Sequence, residues 1–408
     1  MIRYPSRSST NLPSHHHSTY RLATTLTFPL VLSLLYYWFT TQSDANLVTR
    51  SYFLPNLSLI LLLSGFVLPL HLLSRTGRYH FLSILRRVAV GGISKDDGIK
   101  FGDILLADVL TSYAKVLGDL YVCFCMIARH LFDSSARSST ARPDRQCGGT
   151  WIIPLIISVP SLIRLRQCLI EYTRVRATIR KGGITNQTGT GAQHLCNALK
   201  YASALPVVLL SALLRTPATL ANPSRETALF RLWMASVLLN SLFSFYWDVT
   251  KDWDLTMFDP TSPSSVFSLS SLGSRLAQRP LKPETPGLPP PTPDTATLRE
   301  GLLSQSADRY LATHYPFGLR PRRHLHNPSI YYVVIALDLL LRLTWSIKLS
   351  PHLDHFNDLE GGIFLLEISE IVRRWIWIFL RVEAQWEREG GAAGMAGMGN
   401  GDIVLELR

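Results

Sequence analysis

Long apolar runs separated by polar connections dominate the chain. Eight of them approach the ~20 residues a helix needs to cross ~30 Å of hydrocarbon. They are Leu26–Thr40, Phe53–Leu73, Ile104–Leu131, Trp151–Leu169, Cys196–Leu214, Leu229–Val249, Ile330–Leu349 and Gly362–Val382. The pattern predicts an all-α polytopic transmembrane bundle of about eight spans. The third run is unusually long and encloses Asp108 and Asp119. The fourth holds Arg164 and Arg166. The last is the most heavily charged: on a helix, Glu367, Glu370, Arg374 and Arg381 form one stripe with Arg373 beside it, opposite isoleucines, tryptophans and Phe379. An ionised group at bilayer depth costs about 2.5–3.5 kcal/mol even on insertion scales. Such spans should therefore face one another rather than lipid.

Composition supports a membrane protein. The 408 residues are 47% hydrophobic and only 17% charged, below the ~25% of average soluble domains. The net charge is +12. Its basic residues cluster between apolar runs, as in cytosolic loops, rather than forming a nucleic-acid face. Residues 75–100, 171–193 and the segment after Lys251 are rich in Arg and Lys. They alternate with poorer loops, and 350–361 has no Lys or Arg at all. Both termini are then expected in the cytosol, although the arginine-bearing loop 129–147 runs against the rule. Five cysteines without paired CxxC units argue against a disulfide framework or a zinc site. His15, His16 and His17 read as part of a disordered tail. Residues 259–297, with PGLPPPTPDT at their centre, read as an extended linker, and GGAAGMAGMGNG as a flexible tail. The sequons at Asn56 and Asn186 are not expected to be used: the first is too near the membrane, the second on the cytosolic side.

No GxSxG, HExxH, Walker loop or dinucleotide fingerprint appears, and TNQTGTG at 185–191 lacks the lysine of a phosphate loop. No enzyme activity, cofactor or metal is expected. What remains is a set of ionisable residues at helical spacing: Asp248 and Asp252 four apart, Asp338 and Arg342 four apart with the acid first, the Lys200–Tyr201 pair, Asp103 with Asp108, and Glu370 before Arg373 and Arg374. Any one could be a packing salt bridge. Together, at bilayer depth, they point to a substrate path. Arginine suits bidentate contact with an oxyanion, and carboxylates can hold the arginines when the site is empty.

Six ordered stretches carry a resemblance: FGDILLADVLTSY at 101–113, PSLIRLRQCLIEY at 160–172, HLCNALKY at 194–201, YWDVTKDW at 246–253, LDLLLRLTWSI at 337–347 and LEISEIVRRWIWIFLRVE at 366–383. They resemble the EXS family, specifically its short fungal ER-retention-defective type, which lacks the N-terminal SPX domain of the long phosphate-exporting members. The resemblance divides the chain into a tail (1–25), two leading helices (26–74), the first part of the EXS domain (75–254), a proline-rich cytosolic linker (255–328), the last two EXS helices (329–386) and a second tail (387–408). It assigns phosphate contact to Lys200, Tyr201, Arg342, Arg373 and Arg374. A supporting role falls to Asp108, Asp248, Asp252, Trp345 and Glu370. Leu343 stands where the family usually has Phe, and Trp377 where Asn is common. The implied function is a multi-pass Golgi or ER membrane protein returning luminal inorganic phosphate to the cytosol, in support of glycosylation and retention of luminal proteins. The competing reading is a non-transporting receptor that sorts Golgi glycosyltransferases. The partners implied are phosphate, the lipid bilayer, glycosyltransferases or sorting machinery and a homodimer, with no nucleic acid.

Overall fold

The computed structural model describes residues 16–42, 45–51, 53–68, 75–133, 143–144, 147–182, 191–258, 318–320, 323–325, 327–345 and 360–397. Among them there is no strand, in keeping with the all-α expectation. Asn56 lies in a helix, whereas Asn186, His15 and residues 259–297 of the expected linker fall outside the described residues.

The chain divides into two compact units, Met1–Ser236 and Val237–Arg408. The first opens with α1 (His16–Thr41), α2 (Ala45–Arg50) and α3 (Phe53–Val67). α1 leaves Phe28, Val31, Leu35, Trp38 and Phe39 exposed. A span that buries almost none of its apolar surface in protein must bury it in lipid. A hydrogen bond between Ser33 and Ser58 joins α1 to α3, the kind of polar contact that binds helices where no hydrophobic effect drives them together. The amphipathic α4 (Arg75–Arg86) follows. Its Arg78 guanidinium donates to the carbonyls of Gly65 (2.9 Å) and Leu68, which α3 leaves unpaired at its end.

A π-turn at Arg87–Gly91 leads to Gly92, whose φ of 95° favours glycine. A Cβ there would also sit 2.9 Å from Ile170 Cδ1. The expected single span 104–131 is instead two helices, α5 (Asp97–Ser112) and α6 (Ala114–Phe132), bent by 59° at Tyr113. Hydropathy alone does not register this break, because both halves are equally apolar. α7 (Ile152–Arg180) runs eleven residues past the expected end at Leu169. α8 (Ala192–Ala202) and α9 (Ala204–Leu214) form one span interrupted at Ser203, and the short α10 (Pro217–Leu220) precedes α11 (Pro223–Trp247).

The second unit contains the end of α11, a π-turn at Asp248–Asp252, α12 (Pro328–Trp345) and α13 (Glu360–Gly397). α13 passes through the segment expected to be a flexible tail and continues to Gly397. Five described helices are long and apolar enough to cross a membrane, or six if the α5–α6 pair is one broken span. α13 is long enough, but its charges keep it outside that apolar class.

One expectation is overturned. Cys125, near the end of α6, is disulfide-bonded to Cys147, just before α7. The two are 22 residues apart in sequence, and no local spacing motif signals such a pair. Cys123, Cys168 and Cys196 are free thiols.

Candidate functional site

Each unit buries its own charged cluster. In the first, Asp108 on α5 is 3% exposed and receives Arg164 of α7 through Nε at 2.5 Å and Nη2 at 3.4 Å. The Tyr201 hydroxyl of α8 donates to the same carboxylate. Arg164 also lies 4.9 Å from the Tyr201 ring centroid, and the Lys200 ammonium 5.1 Å from it, both within cation–π range. Lys200 and Tyr201 are buried in the last turn of α8, just before the break at Ser203. Arg164 and Lys200 thus bring two cationic groups to the side of Tyr201 and Asp108.

Arg164 extends the network further. Its Nη1 donates to Gln167 Oε1 at 2.6 Å, and Gln167 Nε2 donates to Gly92 O at 3.2 Å. The turn after Gly92 is tied down on both sides. Arg174 donates to Ile93 O (2.9 Å) and Ser94 O (3.1 Å), and Asp103 accepts from Ser94 N at 3.0 Å and from Arg87 Nε and Nη2. Glu171 pairs with both Lys100 and Arg174. Asp108 is thereby connected, through Arg164 and Gln167, to a rigid turn at the basic end of α7.

In the second unit two arginines, Arg342 and Arg373, meet three carboxylates. Arg373 on α13 is gripped by Glu370 one turn earlier (Nε–Oε2 2.9 Å, Nη2–Oε1 2.6 Å), and its Nη1 donates to Asp338 Oδ1 of α12 at 2.7 Å. Asp338 Oδ2 accepts from Arg342 Nε at 2.9 Å, and Arg342 Nη2 reaches Asp248. Asp248 lies 3.9 Å from Arg373. Arg374 is buried, with its guanidinium 4.7 Å from the Trp377 ring centroid. Ser241 Oγ donates to Arg342 O at 3.3 Å and fixes α11 on α12. The gap bounded by Trp253, Val334, Leu337, Asp338, Arg373, Ile376 and Trp377 is too narrow for a water molecule. The arginine forks are occupied by carboxylates and the site is shut.

The structure thus gathers Arg342, Arg373, Glu370 and Asp248, with Arg374 on the turn beside them, and separately gathers Asp108, Lys200 and Tyr201. It redirects Asp252. The two acids take different partners: Asp248 reaches Arg342. Asp252 approaches Arg381 (3.5 Å), whose Nη1 also donates to Lys251 O and Asp252 O. Arg381 is thus a clamp on the 248–252 turn. Asp108 orients Arg164. Trp345 closes α12, and its side chain lies outside what the structure describes.

Three participants were absent from the expected set. Asp338 bridges both arginines, and its i,i+4 spacing to Arg342 was the available signal. Arg164 and Gln167 carry the first cluster. Arg164 was visible as a charge inside a span, but nothing in its spacing distinguished it from Arg166. A further node sits on Glu383, which accepts from Arg320 Nη2 (2.8 Å), the His324 amide (2.6 Å) and the Tyr331 hydroxyl (2.5 Å).

Comparison with known proteins bears on this arrangement. The chain is 29% identical over 285 residues to Protein ERD1 homolog 2 of Schizosaccharomyces pombe, covering 70% of this chain and 54% of that protein. It is 29% identical over 292 residues to Protein ERD1 of Kluyveromyces lactis, covering 71% and 60%. It is also 25% identical over 315 residues to human solute carrier family 53 member 1, covering 75% and 35%. The aligned part thus spans about half the length of the ERD1 proteins and a third of the solute carrier. The sequence profile of the EXS family matches residues 2–387, nearly the whole chain. This multi-pass membrane protein, with its paired charged clusters, belongs to the EXS family.

Proposed function

We propose that the protein is a transporter or channel for inorganic phosphate in the Golgi membrane, returning luminal phosphate to the cytosol. The observation that carries the reading is the buried cluster in which Arg342 and Arg373 pair with Asp248, Asp338 and Glu370, with Arg374 buried beside them. Burying three guanidiniums for packing alone is costly, since apolar residues of similar volume would serve as well or better. Guanidinium forks bind phosphate in the geometry they use for carboxylate. The carboxylates therefore act as place-holders. An incoming phosphate displaces Asp338 or Glu370 from Arg373, and the returning carboxylate displaces the phosphate. Exchange between equals keeps binding weak enough for release, as conduction requires. In the first unit, Arg164, Lys200 and the Tyr201 hydroxyl offer the same chemistry for an anion, with Asp108 as the place-holder.

The disulfide supports the orientation. Disulfides persist in oxidising compartments, so the α6–α7 connection belongs to the lumen. The opposite end of α7, with Arg174, Arg176, Arg180 and Lys181, then belongs to the cytosol, where positive loops are favoured. Both termini fall on the cytosolic side.

The test is phosphate flux in proteoliposomes containing only this protein. Arg373→Ala or Arg374→Ala should abolish flux while the protein still reaches the membrane. Full flux in both variants refutes the assignment. The shut gap beside Arg373 favours one competitor, a non-transporting receptor that sorts glycosyltransferases, for which the purified wild type would carry no phosphate at all.

A further inference from the structure

Arg166 is the other arginine of the fourth span, and it behaves unlike Arg164. It is exposed, and among the described residues it has no ion-pair or hydrogen-bond partner. It lies 14 residues after Ile152, about 21 Å along α7 at ~1.5 Å per residue. That depth is within ~30 Å of hydrocarbon, short of the basic end of the helix. Its surroundings form a groove of about 290 Å³ lined by Leu162, Leu165, Arg166, Leu169, Ile170 and Thr173, all on α7. Arg166, Thr173 and Arg180 succeed one another every seven residues on one face, while Leu162 and Leu169 flank them and stay exposed. The groove contains a single cation and no acid.

We propose that this groove is a binding site for one anionic glycerophospholipid of the cytosolic leaflet, its phosphate on Arg166 and an acyl chain along Leu162, Leu165 and Leu169. An arginine at this depth is costly unless it finds a counter-charge. The residues around it offer none, whereas the cytosolic leaflet is rich in anionic headgroups. The other lining residues, four of them aliphatic, form an open, shallow track along α7, which suits an acyl chain lying on the helix rather than a headgroup alone. A second copy of this chain is a poor occupant. Two-fold packing on this face would bring Arg166 towards its own symmetry mate, and like charges at short range repel. The site is distinct from both charged clusters and does not rest on the transport reading.

Native mass spectrometry of the full-length protein tests it. The protein is released from mixed micelles of phosphatidylcholine with phosphatidylserine, and the retained lipid is identified. Wild type should retain one phosphatidylserine in preference to phosphatidylcholine by about fivefold, the worth of one interfacial cation. Arg166→Leu should bring that ratio to parity and Arg166→Lys should keep most of it. Leu169→Trp, which fills the groove, should lower retention of both lipids. Because Arg166 makes no hydrogen bond or ion pair with a described residue, Arg166→Leu should leave the melting temperature in place. The proposal fails if Arg166→Leu retains the wild-type preference. It fails if inorganic phosphate competes the lipid away, which would make the site one for the free anion. It also fails if Arg166→Leu changes the oligomeric state and leaves lipid retention untouched, which would assign the groove to a protein contact.

Discussion

Asp338→Asn isolates the place-holder role, because it removes one charge and almost no volume. In the wild type its two oxygens serve Arg373 Nη1 at 2.7 Å and Arg342 Nε at 2.9 Å. Asparagine keeps one acceptor and turns an amide donor towards the other arginine. Arg373 retains Glu370, and Arg342 retains Asp248. Deleting one partner of a buried pair costs about 3–5 kcal/mol, and the remaining acceptor puts the expected loss near the lower end. That is a large share of a total stability of about 5–15 kcal/mol. The variant should fold but melt at a lower temperature. The cluster thereby loses one of its negative charges. At ~4 Å and an effective dielectric of ~20, one charge pair is worth about 4 kcal/mol. If a third of that survives as anion affinity, the gain is about 1.4 kcal/mol, or tenfold. Initial rates of phosphate uptake into proteoliposomes, measured over a range of phosphate, should show half-saturation about tenfold lower. The maximal rate should also fall, because no carboxylate returns to expel the anion. Asp119→Asn is the control, since its partly exposed carboxylate pairs, among the described residues, with Lys115 one turn away and its loss should leave half-saturation unchanged. A folded Asp338→Asn variant with unchanged or weakened half-saturation refutes the place-holder argument.

Three further outcomes are expected. Arg164→Leu leaves Asp108 buried with Tyr201 as its remaining named donor and should cost about 3–5 kcal/mol; adding Asp108→Asn should recover most of the thermal stability but none of the flux. Cys147→Ser should free one further thiol to maleimide under denaturing, non-reducing conditions and lower stability by about 3 kcal/mol for a crosslink of 22 residues; an unchanged thiol count refutes the pairing. Gly318→Ala places a Cβ 2.5 Å from the backbone of Met257 at a φ of 72° and disturbs the Thr256 N–H to Gly318 O bond of 2.9 Å, so it should destabilise by about 1–3 kcal/mol. Gly102→Ala, in a helix with nothing within 4 Å of the new carbon, should instead stabilise by up to about 1 kcal/mol. Melting curves that move in the same direction for both glycines contradict the geometry.

What the sequence determined by itself is the class of molecule and its alphabet of charges. Apolar run length is a one-dimensional property, so the helices of α1, α7, α9 and α11 follow from it directly. Pairs on one helix are legible for the same reason. Glu370 with Arg373 and Asp338 with Arg342 are separated by one turn, and a turn is fixed by backbone geometry. The tertiary structure decided who meets whom between helices. Asp108 and Arg164 are 56 residues apart and Asp248 and Arg342 are 94 apart, and no local rule chooses between Arg164 and Arg166 as the inward partner. The helix rotations set by packing on α5 and α8 make that choice. Asp252 likewise goes to Arg381 while Asp248 goes to Arg342, a choice of partner that four-residue spacing does not make. The bend at Tyr113 and the Cys125–Cys147 bond were equally hidden. Both depend on where chain segments distant in sequence come to rest, and composition and periodicity do not encode that.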